Sequence, residues 1–335
     1  MSNRLEDGTP YIFDSKMMEA YRRTFDLTNQ YNHVANMSYL VRKQNVLRRI
    51  SFTFFVLFLS LGWLQAQTID TITVRSRSMN KDIKNMVILP AGYNGGNGLP
   101  VVYLLHGYSE DYKAWLKINP ELPELATRYE LIIVCPDGEA SWYLDSPINP
   151  ESKFETYVAE ELVEYIDNHY KTRRENKGRA ITGFSMGGYG AMWLAAIHHQ
   201  NVFGACGATS GGVDICPFPD KWEIKKVLGA YKENSDLWKE HCIINQLHLI
   251  GAGLSIILDC GTEDFFYSAN ERLHQEMVNR NIKHDYIARP GIHNNDYWSN
   301  SIGFQLLFFS DYFRGKHVYE RQLIYNRLLS VPDNL

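Results

Sequence analysis

Cysteine is scarce in this chain: Cys135, Cys206, Cys216, Cys242 and Cys260 are too few and too scattered for a disulfide framework, and no CxxC pair is present to hold zinc. Long runs of one charge sign are also missing, and the net charge is only -4. The chain therefore carries no electrostatic footprint for nucleic acid or for an anionic membrane surface, and a small or uncharged partner is expected instead. Internal repeats and low-complexity tracts are absent, which sets aside solenoid and propeller architectures. What is present is apolar material, 45% of 335 residues, enough for a sizeable core.

An uncharged, mostly apolar run lies near the start, from Ile50 to Leu64, after Lys43, Arg48 and Arg49 and before Gln65-Ala66-Gln67. A basic stretch, an apolar segment short for a membrane span and a small residue at its end read as a signal peptide over residues 37–66, cut after Ala66, with an uncleaved anchor as the alternative. The mature chain is then expected to be exported, periplasmic or extracellular, without stable membrane insertion. Residues 1–36 are polar, whereas export signals begin within a few residues of the initiator, so Met37 is the expected translation start. Residues 67–335 are read as one catalytic domain.

From Thr68 onward, short apolar runs bounded by turn formers alternate with segments of helical periodicity, the pattern of an α/β fold. Thr71 to Val74 and Lys84 to Leu89 read as an opening antiparallel pair. Further strands are expected at Val101 to Leu105, Leu131 to Cys135, Arg179 to Thr182, Phe203 to Ala208, Ser255 to Cys260 and His284 to Ala288. Phe154, Tyr157, Val158, Leu162, Tyr165 and Ile166 keep the three-and-four spacing of an amphipathic helix. Helices are also expected at Met186 to His198, Ser268 to Asn281 and Asp296 to Phe313. Lys221 to Leu249 reads as two inserted helices, either part of a cap over a site or an ordinary connection. Cys135, Cys206 and Cys260 fall in the strand-like runs as buried small hydrophobes. Cys216 and Cys242 lie in a more polar stretch, where spacing alone leaves their pairing open.

The strongest local signal is Gly183-Phe184-Ser185-Met186-Gly187, a G-x-S-x-G placed directly between a strand and a helix. This is the nucleophile elbow of an α/β-hydrolase fold, with a mostly parallel central sheet and helices on both faces. A serine hydroxyl needs a base within hydrogen-bond reach and an acid to orient that base, and in this fold the chain order is serine, acid, histidine. Asp264 follows the strand ending at Cys260, and His293 follows the next strand in Pro290-Gly291-Ile292-His293. Glu263, one residue away, is the rival acid, while Asp259 lies inside the strand. His198, His199, His274 and His284 sit on helices or at strand starts, where solvation or packing is the ordinary role. His106, closing a strand in His106-Gly107, reads as a structural hydrogen-bonding residue. The oxyanion donors are expected to be the backbone N–H groups of Tyr108 and Met186. Neither metal nor cofactor is required by such chemistry.

Taken together, these segments resemble the esterase family related to esterase D, which includes tributyrin esterases, S-formylglutathione hydrolases, feruloyl and acetyl-xylan esterases and mycolyltransferases. Leu104 to Ser109 is similar to the family's oxyanion segment, and Ser141-Trp142-Tyr143-Leu144-Asp145-Ser146-Pro147 to its loop lining the acyl pocket. Gly183 to Gly188, Cys260 to Phe265 and Pro290 to His293 with Asp296-Tyr297-Trp298 complete the resemblance. It implies Ser185, Asp264 and His293 as the triad, with Trp142, Tyr143, Asp145 and Trp298 at the substrate. His293-Asn294-Asn295 departs from the bulkier residue often found after the histidine.

The expected activity is hydrolysis of carboxylic esters, small or on polysaccharide, with acetyl or feruloyl groups of plant polysaccharide as the expected acyl groups. Tyr108, Tyr112, Trp115, Trp142, Tyr143 and Trp298 fall in or near site loops, where aromatic faces can hold a sugar or phenolic group. Acyl transfer to a carbohydrate or lipid acceptor uses the same residues, and a carbohydrate-binding protein without turnover is the reading from another class. The sequence leaves the oligomeric state open. Amino-terminal sequencing of the precursor is expected to begin at Met37; peptides from Tyr11 to Asn36 recovered from cells would overturn that start.

Overall fold

The computed structural model describes residues 67–316 apart from 95 and 97, together with 18–20, 22–27, 30, 37, 42–44 and 48. The expected signal segment lies almost wholly outside the described residues. Chain contacts divide the molecule into residues 1–64 and 65–335. In the first unit the described residues are helical and exposed, and Arg23 pairs with Glu19 one turn away.

The second unit is built on eight strands: β1 (Thr68–Ser76), β2 (Lys81–Leu89), β3 (Val101–Leu105), β4 (Ile132–Pro136), β5 (Arg179–Gly183), β6 (Ala205–Thr209), β7 (Ser255–Gly261) and β8 (Asp285–Arg289). Their spatial order is β1-β2-β4-β3-β5-β6-β7-β8. The β1–β2 and β2–β4 pairings are antiparallel and the rest are parallel. Every strand expected from sequence is present, with ends shifted by a few residues where the ladder outlasts the apolar run.

Central strands are apolar at consecutive positions because both faces are covered. In β3, Val101, Tyr103 and Leu105 face one core while Val102 and Leu104 face the other, as the two-residue pleat requires. The first core is closed by the helical segment α3 (Phe154–Thr156) and α4 (Leu162–His169), joined through a wider π turn at Tyr157–Glu161. It also takes the helix that begins as α5 (Met186–Ala191) and continues as a π segment to His198. The second core is closed by α1 (Ala114–Ile118), α2 (Leu122–Tyr129) and α9 (Asn295–Phe313). Between β6 and β7 the chain inserts α6 (Ile224–Leu228) and α7 (Ser235–Glu240), followed by two 3-10 turns. The remaining helix, α8 (Tyr267–Asn279), follows β7.

Asp259 is a buried carboxylate in β7, and its partners explain why the sheet tolerates it. Its oxygens accept hydrogen bonds from Ser301 Oγ, from Gln305 Nε2 at 2.6 Å and from Thr209 Oγ1 at 2.9 Å, so α9 is tied to β6 and β7. Gln305 Oε1 in turn accepts from Thr182 Oγ1 of β5 at 2.9 Å. Burial holds the Asp259 carboxyl above the usual carboxylate range, against the hydrogen bonds from Ser301, Gln305 and Thr209 that pull it down. Folding therefore favours the protonated form here. The contribution of this group is full below the ordinary carboxyl value of about 4 and is lost as pH rises through its higher folded value. Asp259→Ala, which strands these donors, is expected to cost about 2–4 kcal/mol in urea unfolding. Asp259→Asn is expected to flatten the decline of the urea midpoint above about pH 4.

Candidate active site

At the carboxyl end of β5 the chain turns sharply into α5, and Ser185 at the apex takes φ 56° and ψ −118°, outside the ordinary regions for a residue with a side chain. The turn is held by Ser185 N–H donating to Thr209 O at 3.0 Å and Gly187 N–H donating to Phe184 O at 2.8 Å. Glycine is required at 187 because a Cβ there would lie 2.3 Å from the carbonyl oxygen of Leu105.

The Ser185 hydroxyl donates to His293 Nε2 at 2.9 Å, and His293 Nδ1–H donates to Asp264 Oδ2 at 2.8 Å. Nδ1 carries the proton because a carboxylate only accepts, which leaves Nε2 as the acceptor for the serine. The second oxygen of Asp264 accepts from the Phe266 N–H at 2.8 Å, so the carboxylate is aimed from both ends. Its side chain is fully buried, whereas that of His293 is 14% exposed. Glu263 turns away: its carboxylate accepts from the Gly291 N–H and from Thr262 Oγ1, and those bonds hold it below the usual carboxylate range. It spans the loop that carries Asp264 and the loop that carries His293 without touching the imidazole. Asn294 receives the N–H of Tyr297 at 3.0 Å and so caps α9, a role that a bulkier residue after His293 would not fill.

Tyr108 lines the same cleft as Ser185, and Met186 directly follows Ser185 in the chain. Neither backbone N–H donates to a backbone acceptor among the described residues, and that of Met186 opens a helix, where no intrahelical partner exists. The loop bearing Tyr108 is fixed by His106. Its Nδ1–H donates to Gly107 O and its Nε2 accepts from the Gly138 N–H, both at 2.8 Å. That pair of partners requires the neutral ring. Gly107 has no room for a side chain, since a Cβ would fall 2.4 Å from the Phe184 ring.

Ser185 and His293 open into a cleft of about 600 Å³ whose walls include Tyr108, Glu110, Phe184, Trp222, Phe265 and Trp298. Phe184 stacks on Trp298 with ring centroids 4.2 Å apart, and Trp222 stacks on Phe265 at 5.7 Å. Phe265 is 53% exposed and lies 4.3 Å from the His293 ring.

Trp142, Tyr143 and Asp145, expected at the substrate, are not among the residues that line this cleft, whereas Trp298 is. Trp142 and Tyr143 are buried core residues. Trp142 Nε1 donates to Trp222 O at 3.1 Å, and the Tyr143 hydroxyl donates to His106 O at 3.1 Å. Asp145 accepts from the backbone and side chain of Thr156. Tyr112 and Trp115 are likewise buried, Trp115 Nε1 donating to Leu105 O at 2.9 Å. These aromatics support the loops from beneath rather than facing the cleft. Sequence reasoning missed Phe184, Trp222 and Phe265 as walls. Only the aromatic character of the motif's variable position and of the residue after Asp264 hinted at them.

Residues 76–309 match the profile of the family described as "Putative esterase". An acetyl esterase of Caldicellulosiruptor saccharolyticus is 25% identical over 256 residues, covering 69% of this chain and 94% of that protein. Diacylglycerol acyltransferase/mycolyltransferase Ag85B of Mycobacterium leprae (strain TN) is 33% identical over 183 residues, covering 51% of this chain and 53% of its own. A solved ferulic acid esterase superposes with a TM-score of 0.64 at 25% identity, covering 74% of this chain and 98% of that one. The fold is the α/β-hydrolase fold, and the activity is that of a carboxylic ester hydrolase of the serine type. A match running without interruption from β1 into α9 carries the elbow, the acid loop and the histidine loop together, and by it the chain belongs to this esterase family.

Proposed function

We propose that Ser185 is the nucleophile of an exported esterase, with His293 as general base and then general acid, and Asp264 as the group that orients and stabilises the imidazolium. The observation that carries the reading is the unbroken chain from Ser185 Oγ through His293 to Asp264, at 2.9 and 2.8 Å, opening on a cleft. In the first half-reaction the serine oxygen attacks the ester carbonyl as its proton passes to His293 Nε2. The oxyanion is met by the Tyr108 and Met186 N–H groups. Collapse expels the alcohol, which takes the proton from His293. Water then repeats the sequence on the acyl-enzyme and frees the acid.

The natural substrate is proposed to be an acetyl or feruloyl ester of plant polysaccharide. Support comes from the relatives named as an acetyl esterase and as a ferulic acid esterase, and from the aromatic walls Trp222, Phe265 and Trp298, which suit a sugar or phenolic ring. Transfer of the acyl group to a carbohydrate or lipid hydroxyl is the second reading, favoured by the resemblance to the mycolyltransferase.

Ser185→Ala and His293→Ala are each expected to lower kcat by about 10⁴-fold or more, and Asp264→Asn by less. Glu263→Gln is expected to keep most activity; a collapse there with none at Asp264 would reassign the acid. The measurement is p-nitrophenyl acetate turnover, with labelling of Ser185 by an organophosphonate as the independent readout. A panel of acetyl, butyryl and feruloyl esters, run with and without an added sugar acceptor, is expected to give the free acid as main product. An acylated sugar as main product would establish the transferase reading instead.

A further inference from the structure

Within the insertion between β6 and β7, Cys216 and Cys242 flank helices α6 and α7. Cys216 Sγ and Cys242 Sγ approach to 2.8 Å, although 26 residues separate them in sequence. Cys216 is partly exposed and Cys242 is buried. Between them lie Trp222, a wall of the cleft, and helices α6 and α7. We propose that Cys216 and Cys242 form a reversible disulfide that staples this insertion closed at its base and holds the Trp222 wall of the cleft in place.

Three observations favour a covalent pair over other uses of the two thiols. The first is proximity, since the sulfur atoms already sit inside van der Waals contact with no residue between them. The second concerns metal. Asp214 stands close enough to the two cysteines to complete a three-ligand group, and Cys242 Sγ lies 3.4 Å from its Oδ1. Two thiolates on one tetrahedral zinc stand about 3.8 Å apart, given Zn–S bonds of about 2.3 Å. These sulfurs are closer than that, and Asp214 is already neutralised by Arg272 of α8. The third is the surroundings. Cys242 follows α7, where the preceding carbonyl, that of His241, accepts from the Tyr189 hydroxyl at 2.9 Å. The Ile244 N–H reaches Val213 O at 3.4 Å, so both ends of the insertion are already anchored on the first core.

The exposures of the two thiols define the order of events. The Cys216 thiolate, being reachable, attacks the disulfide of an oxidant such as oxidised glutathione, and one glutathione leaves as a thiol. Cys242 then attacks the Cys216 sulfur of the mixed disulfide and expels the second glutathione. Two cysteine thiols lose two electrons and two protons in all, and the oxidant gains both. Closing a loop of this length stabilises the fold chiefly by restricting the unfolded chain.

The test treats the full chain with oxidised glutathione at about pH 9.5, which raises the thiolate fraction although burial holds both thiols above the ordinary value. Intact mass is expected to fall by about 2 Da, and peptide mapping to find one cross-link, Cys216 to Cys242, with Cys135, Cys206 and Cys260 still alkylatable. Dithiothreitol is then expected to lower Tm by about 5–10 °C. Cys216→Ser and Cys242→Ser are each expected to abolish the dependence of Tm on reductant. Both thiols remaining free after oxidation, a cross-link to another cysteine, or zinc retained in native mass spectra would each overturn the proposal. Mass and Tm do not depend on turnover, so this outcome is independent of whether the esterase reading stands.

Discussion

A serine at φ 56° and ψ −118° is a conformation the backbone does not adopt unaided, and much of the molecule is arranged to keep it there. Its N–H and C=O are both occupied, by Thr209 O and by the N–H of Gly212, so the turn is clamped from the side of β6. On the other side Gly187 lets the first turn of α5 press against the carbonyl of Leu105 at the end of β3. The hydroxyl is thereby lifted off the sheet edge. The same geometry leaves the first N–H of the helix without a backbone partner among the described residues, and a raised hydroxyl beside such a donor suits the proposed tetrahedral chemistry.

The histidine and the acid come from loops far away in sequence, and their registration with the elbow depends on contacts beneath them. Asp259, Ser301, Gln305, Thr209 and Thr182 form one buried polar network that links β5, β6 and β7 to α9. β5 ends at the elbow, β7 leads to Asp264, and α9 starts just after His293. Above that network, Phe184 of the elbow stacks on Trp298 of α9. Glu263 joins the acid loop to the histidine loop through the N–H of Gly291. The polar groups give direction, the rings give packing, and neither by itself would bring three side chains into line.

How much of this was legible in the sequence follows from how local each constraint is. The elbow was readable because its glycines answer a collision within a few residues of Ser185. The acid and the histidine were readable because each stands at the end of an apolar strand, and strand ends place residues on one rim of a parallel sheet. Helices α1 and α2 were not anticipated, being short, with Pro120 between them and Pro123 at the start of α2, and too few turns to show a period. The aromatic loop was misread for a different reason. Trp142 and Tyr143 sit at φ 56° and 57°, a pair of left-handed residues that turns both rings into the core. Nothing in residue type announces that conformation, and an aromatic in a loop packs inward as readily as it faces a ligand. Trp222 shows the converse, since it too has a left-handed backbone, at φ 48°, yet its ring faces the cleft.

Those walls bear on the fate of an acyl-enzyme. In the proposed mechanism, hydrolysis and transfer share every step up to the departure of the first alcohol, and they separate only in which hydroxyl approaches His293 next. A transferase must keep water from the acyl-enzyme or hold its acceptor tightly enough to outcompete water at its bulk concentration. Here Phe265, whose ring lies 4.3 Å from that of His293, is 53% exposed, so this wall of the cleft meets open solvent. The lining residues include Glu110 and Asp296 but no lysine or arginine, which suits a neutral alcohol better than an anionic one. An open, aromatic-walled and faintly acidic cleft thus supports water as the ordinary second nucleophile. For a sugar hydroxyl to replace it, the acceptor would have to gain its advantage from stacking on Trp222 and Phe265, which stack on each other in the cleft wall.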